Sequence, residues 1–136
     1  MVLAGTMVPI NVPKIEARDA MPQSLTGQPG DPARGKAVAA DARKGNCIIC
    51  HAMPMPEFSA DAFGNIGPSL AGIGSRLGAP QLRQRIVDPR ILFADSVMPP
   101  YFVTTGLTRV QTAYVGKTIL SAQEVEDVVA YLASLE

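Results

Sequence analysis

Tryptophan is absent from this 136-residue chain, and Phe with Tyr bring the aromatic share to only 5%. The bulky anchors that fill most small cores are therefore scarce, and Ala, Val, Leu and Ile must supply most of the 47% apolar content. Net charge is also absent: twelve Lys plus Arg balance twelve Asp plus Glu, with no basic cluster longer than a pair. Such a chain lacks the cationic excess that neutralises a phosphate backbone, which argues against nucleic acid as a partner. No apolar run reaches the length of about 18 residues that spans a bilayer. The N-terminus shows no succession of basic region, apolar stretch and small-residue cleavage site, so neither a membrane span nor a signal peptide is expected. Histidine occurs once and cysteine twice, whereas Gly and Pro, at twelve each, lengthen the loops. A loop-rich domain of this size is helped by a staple or an inserted group.

Residues 1–30 show no sustained period and hold Pro9, Pro13, Pro22 and Pro29. They are expected as an extended arm, either a loose terminus or a strap laid on a partner through Ile10, Val12 and Ile15. Residues 31–136 are expected as the domain. Asp31 before Pro32, with Arg43 and Lys44 downstream, predicts a helix over 32–44 closed by Gly45. From Ala52 to Gly78, Pro54, Pro56, Pro68 and several glycines break any period and mark a wrapping segment. Pro80 opens a second helical stretch with Leu82, Ile86 and Val87 on one face, Pro89 stops it, and a short turn is expected at 90–95. Residues 101–117 alternate weakly around Thr105-Gly106, which is compatible with a hairpin. Ser121 and Glu124 have capping-box spacing, Leu120 and Val125 can staple the entry, and Val125, Val128, Val129 and Leu132 repeat at helical spacing, predicting a helix over 122–135. The fold class is all-α, with long loops that need something to wrap.

Both cysteines and the sole histidine fall in one pentapeptide, Cys47-Ile48-Ile49-Cys50-His51. Two thiols two residues apart can add to the two vinyl groups of one porphyrin edge, and the adjacent imidazole can then meet the iron: this is the pattern of covalent c-type haem attachment. A structural zinc site needs four N/S ligands and finds three here. A redox dithiol needs a strand-turn-helix setting and leaves His51 unexplained, and a disulfide would strain so short a loop. With no second histidine, methionine is the next candidate for the sixth iron position. Met1, Met7 and Met21 lie in the arm, and Met53 and Met55 follow His51 too closely to reach the opposite face, which leaves Met98, stiffened by Pro99 and Pro100. Its alternative role is that of an apolar core residue. Closing both axial positions leaves no open iron site and suits electron transfer, whereas an open-site haem enzyme or sensor needs Met98 elsewhere. In Asn65-Ile66-Gly67-Pro68-Ser69-Leu70, Gly67 permits close approach to the His51 ring and the Pro68 carbonyl can accept its other N–H; the alternative is an ordinary turn. Arg76 can pair with a haem propionate or stay solvated. Gly116-Lys117-Thr118 matches the end of a phosphate-binding loop, but position 111 is Gln111 where that loop needs glycine, so no nucleotide site follows.

The order of helix, Cys47-Ile48-Ile49-Cys50-His51, Gly67-Pro68, Met98-Pro99 and a capped terminal helix bearing Tyr131-Leu132 resembles class I cytochrome c over residues 31–135. That resemblance implies crossed first and last helices in which a small residue accommodates an aromatic, with Gly35 and Tyr131 as candidates. The interval from Gly35 to Cys47 is longer than usual by about one helical turn. A narrower likeness lies in Ile66-Gly67-Pro68-Ser69-Leu70, Val97-Met98-Pro99-Pro100-Tyr101 and Gly116-Lys117-Thr118-Ile119-Leu120-Ser121 running into the last helix. These segments resemble the SoxX subunits of SoxAX cytochrome complexes. The resemblance implies one covalently bound haem c and a periplasmic heterodimer with a SoxA-type cytochrome subunit. It also implies an L-cysteine S-thiosulfotransferase complex that couples thiosulfate to a carrier-protein cysteine. The catalytic centre would sit in the partner, and electrons would pass through this subunit to a downstream acceptor cytochrome. A free-standing periplasmic electron carrier is the alternative; in both readings haem attachment of this kind implies assembly outside the bacterial cytoplasm, so the signal that is not visible is expected to reflect a mature or engineered N-terminus.

Overall fold

Asp31 caps the first helix, α1 (Pro32–Ala40): its carboxylate accepts from the amides of Ala33 and Arg34 at 2.8 and 3.1 Å, and proline occupies the first turn, where an N–H has no helical partner. The computed structural model describes residues 19–136. Beyond α1 it contains α2 (Ile73–Arg76), α3 (Ala79–Val87) and α4 (Ala122–Ala133), with single 3-10 turns at Cys47–Ile49, Ala60–Ala62, Pro89–Ile91 and Thr112–Tyr114. No strand forms among the described residues, and no helix there is long and apolar enough to cross a membrane.

α1 ends at Ala40, four residues before the predicted end at 44. The reason is local: the Asp41 side chain accepts from the Arg43 amide at 2.8 Å, an Asx turn that competes with the helical hydrogen bond. The chain folds back so that the Gly45 amide reaches the Val38 carbonyl at 3.1 Å, and Asn46 adopts a left-handed φ of 49°. The extra residues between Gly35 and Cys47 are spent in this turn.

α4 starts as its sequence dictates, with Ser121 Oγ accepting from the Glu124 amide at 3.1 Å and Glu124 Oε1 accepting from the Ser121 amide at 2.9 Å. Leu120 and Val125, the predicted staple, are both buried. Its apolar face packs with Val38, Ala39, Leu82, Ile86 and Tyr101 in one core that also takes in Met53 and Met55. The hairpin with which the weak alternation of residues 101–117 is compatible does not form. Left-handed residues at Gly106, Arg109 and Gly116 interrupt it, and the amides of Tyr101 and Phe102 bond instead to the carbonyls of Ile86 and Val87 at 3.1 and 3.3 Å.

α1 and α4 make the most extensive helix contact of the fold. At Gly35 the two backbones meet: a Cβ there would lie 1.9 Å from the Asp127 carbonyl oxygen and 2.9 Å from Tyr131 Cβ. Gly35 therefore does face Tyr131, but the tightest contact is with the Asp127 backbone. Gly30 stands likewise against the Glu126 carbonyl, at 2.0 Å for an added Cβ.

Two acidic residues of α4, both buried, organise what lies around it. Asp127 accepts from the Asp31 amide at 2.8 Å and from Arg34 Nε at 3.1 Å, joining α4 to the start of α1. Glu126 takes a two-pronged bond from buried Arg83 at 2.8 and 2.9 Å and a third from the Leu25 amide at 3.0 Å, while Arg83 also donates to the Met21 carbonyl at 2.6 Å. The described part of the arm thus lies on α3 and α4 of its own chain. The anchors Ile10, Val12 and Ile15 fall outside the described residues. Burial raises the Glu126 pKa, but hydrogen bonds from Arg83 and Leu25, with the Arg83 charge, outweigh it and bring the net value below the usual carboxylate range.

Two outcomes follow from this packing. Gly35→Ala should cost on the order of 1–3 kcal/mol or more, because the clash is with backbone and cannot be relieved by a rotamer change; urea denaturation measures it. Arg83→Met leaves Glu126 buried and unpaired and should cost about 3–5 kcal/mol near neutral pH. Because the folded-state pKa of Glu126 lies below its unfolded value, its contribution is complete above that unfolded value and is lost as pH falls through the folded one. The gap between wild type and Arg83→Met should therefore narrow on acidification, which denaturation at a series of pH values checks.

Candidate functional site

The Cys47–Ile49 turn carries the pentapeptide, with the amides of Cys50 and His51 both bonded to the Cys47 carbonyl at 3.2 and 3.0 Å. Both cysteines are free and half-buried. Burial pushes the Cys47 thiol up to about 11, the opposite of the depression that activates a redox dithiol. The segment 64–70 runs alongside the pentapeptide. Its amides at Gly64, Gly67 and Leu70 bond to the carbonyls of Ile48, Cys50 and Ala52 at 2.9, 2.8 and 2.9 Å. Gly64 is essential to that approach, since a Cβ would lie 1.9 Å from the Ile49 carbonyl oxygen; sequence reasoning passed over it because a close backbone approach has no local signature.

The result is a fixed imidazole. A Cβ on Gly67 would lie 2.3 Å from His51 Cε1, so the ring rests directly against that glycine. His51 Nδ1 is 2.6 Å from the Pro68 carbonyl oxygen. A carbonyl only accepts, so the proton sits on Nδ1 and Nε2 keeps its lone pair, the tautomer a metal ligand requires.

His51 lines a cavity of about 790 Å³, within the size range of small-molecule and cofactor sites. Cys47, Cys50, Pro68, Arg76 and Met98 line the same cavity, so the structure brings together every site residue singled out in the sequence. The remaining wall is mainly apolar, with Leu70, Ile73, Leu82, Ile86, Ile119 and Leu132 prominent. Of the four described methionines only Met98 lines it; Met53 and Met55 are buried in the core, and the Met21 backbone is tied to Pro80. Ser96 Oγ accepts from the Met98 amide at 3.1 Å and donates to the Met98 carbonyl at 3.2 Å, which stiffens the loop from its N-terminal side as Pro99 and Pro100 do from the other.

Tyr101 joins the two halves of the site, its hydroxyl donating to the Gly45 carbonyl at 2.5 Å two residues before Cys47. Burial, with Cys47 and Cys50 nearby, raises its pKa and keeps the phenol protonated as a donor. Arg76 donates to the Ala71 carbonyl at 3.1 Å. Among the described residues, Lys44, Arg76 and Arg85 are the charged ones of the lining, and no carboxylate is among them. An apolar slot with paired thiols, a lone-pair imidazole, a thioether and only positive charge fits haem c, whose macrocycle is apolar and whose two propionates are negative.

Known proteins agree with this reading. The model of the family described as Cytochrome c matches residues 32–136. An uncharacterized lipoprotein of Aquifex aeolicus (strain VF5) is 32% identical over 90 residues, 66% of this chain, and the chain spans only 36% of that protein's length. Among solved structures, SoxXA from P. pantotrophus superposes with a TM-score of 0.77 at 34% identity, covering 87% of this chain and 90% of the matched one. The fold is that of class I cytochrome c, and the chain belongs to the cytochrome c family as a SoxX-type cytochrome with covalently bound haem c.

Proposed function

We propose that this chain is the electron-relay subunit of a periplasmic SoxAX-type complex, with Cys47 and Cys50 as the haem tethers and His51 and Met98 as the iron ligands. The observation that carries the ligand assignment is that Met98 is the one described methionine at the cavity that holds His51. The haem supplies a one-electron couple; the chain's residues set its surroundings. Pro68 holds the imidazole in one tautomer through its carbonyl, Gly67 keeps the ring in place, and Ser96 with Pro99 presents the thioether. Arg76, at the cavity edge, serves a propionate through its planar fork. His51 and Met98 would both ligate the iron, an arrangement that suits electron transfer and would leave bond-making to a partner.

The likeness to SoxXA supports a partner of SoxA type, with thiosulfate coupled to a carrier-protein cysteine at the partner's centre. Both thiols of this chain are committed to the haem, so it offers no reactive sulfur to that coupling. Electrons leave through this subunit to a downstream acceptor cytochrome. Ile49, Ile66, Phe93 and Val97 are exposed while lining the cavity, Val97 at 80% and Ile66 at 70%. Together they form an apolar rim of the kind that marks a protein contact. Zero net charge gives little long-range steering to a freely diffusing carrier, which favours a bound subunit.

Met98→Ala should abolish the far-red charge-transfer band of the ferric protein and lower the reduction potential; an unchanged spectrum removes Met98 from the iron. Ile66→Glu with Val97→Glu should leave the optical spectrum intact and weaken co-elution with a SoxA-type cytochrome at least tenfold in apparent affinity, about 1.4 kcal/mol. Monomeric elution of the wild type in that partner's presence would instead establish the free carrier.

A further inference from the structure

Arg85 is a cavity-lining residue that sequence reasoning did not single out. It projects from α3 beside Ile86, and its side chain is 26% exposed, so its charge is only partly screened by water. Among the described residues its side chain makes one hydrogen bond, from Nη1 to the Gln81 carbonyl at 3.1 Å, and one ion pair, from Nη1 to Asp19 Oδ1 at 3.0 Å. Among the described residues, Nε and Nη2 have no hydrogen-bond acceptor. The other lining cations are differently placed: Lys44 is paired with Glu124 at 2.5 Å, and Arg76 reaches the Ala71 carbonyl from an exposed position.

Asp19 belongs to the segment before the domain. Gln81 Nε2 donates to its second oxygen at 3.2 Å, and two residues later the Met21 amide bonds to the Pro80 carbonyl at 2.8 Å. Its carboxylate is thus clamped against the outer turn of a helix whose inner residues line the haem cavity. One guanidinium stands between a carboxylate on one side and the haem cavity on the other.

We propose that Arg85 is a positioning residue whose guanidinium would hold a haem propionate, and that Asp19 tempers its charge, so that the N-terminal segment adjusts the haem's electrostatic surroundings. The inference rests on haem occupying the cavity that Cys47 and Cys50 line. A cation beside the macrocycle favours the reduced, more negative state, and an anion paired with that cation offsets it. Arg85 therefore raises the reduction potential and Asp19 lowers it, the second effect depending on the first.

The test uses the haem-loaded full chain. Spectroelectrochemical titration of Asp19→Asn, Arg85→Gln, Arg85→Lys and the Asp19→Asn/Arg85→Gln double variant gives the potentials. Resonance Raman spectra give the propionate-bending band, which reports hydrogen bonding at the carboxylates. The expected results are a higher potential for Asp19→Asn, a lower one for Arg85→Gln with a shifted propionate band, partial recovery for Arg85→Lys, and a smaller Asp19→Asn effect when Arg85 is already gone. An unshifted propionate band in Arg85→Gln would overturn the contact. Equal Asp19→Asn shifts with and without Arg85, or no shift at all, would overturn the coupling. If Arg85→Gln fails to retain haem, Asp19→Asn alone still decides the coupling, because Asp19 does not line the cavity: a potential that rises with a shifted propionate band supports it, and a potential that rises with an unshifted band overturns it. Loss of the far-red band in any variant would signal altered axial ligation instead, which separates failure of the Met98 assignment from failure of this proposal.

Discussion

The backbone contact between Gly35 of α1 and the Asp127 carbonyl of α4 is the constraint on which the rest of the molecule depends. Any side chain at position 35 pushes the two helices apart, and their separation sets everything attached to either. From α1 the chain turns through Asp41 to Asn46 and delivers the pentapeptide one short loop after the crossing. From α4 the buried pair Glu126 and Asp127 reach outward to Arg83 on α3, to the arm at Leu25 and to the cap residue Asp31. A single crossing therefore places the haem-bearing turn, one wall of the cavity and the preceding segment relative to one another. Buried carboxylates are costly alone; here each has several donors, which is what makes them tolerable and what makes them specific.

Around that frame, two loops rather than two helices shape the cavity. The 64–70 segment is pinned to the pentapeptide by three backbone hydrogen bonds and fixes the imidazole; the 96–101 loop is pinned to α3 and to Gly45 and presents the thioether. Tyr101 is the tie between them, since it bonds by backbone to Ile86 and by hydroxyl to the carbonyl just ahead of Cys47. Loops rich in proline and glycine become rigid here because their polar groups are anchored on helices, which is how a chain with few aromatics keeps a large apolar slot in shape.

Much of this was legible along the chain. The spacing of Cys47, Cys50 and His51 carries its chemistry within five residues, and the Ser121/Glu124 box with its apolar stripe announces α4, because both signals are local and nearly free of context. Gly67 and Pro68 were also readable as partners of the imidazole, and they stand against it. One local reading failed for a local reason, since Asp41 ends α1 through its own side chain, and left-handed residues divide the stretch whose weak alternation was compatible with a hairpin.

Order along the chain determined which atoms are available to a haem: two thiols, one imidazole and one well-placed thioether, together with the helices that bracket them. Only the tertiary structure decided that Gly64 is needed beside Ile49, that Arg83 and Glu126 pair across 43 positions, and that Arg85 joins Asp19 to the cavity. The physical reason is that caps, turns and attachment motifs act through neighbours within a few bonds. Close backbone approach and buried ion pairs depend instead on distances that exist only after the helices have crossed.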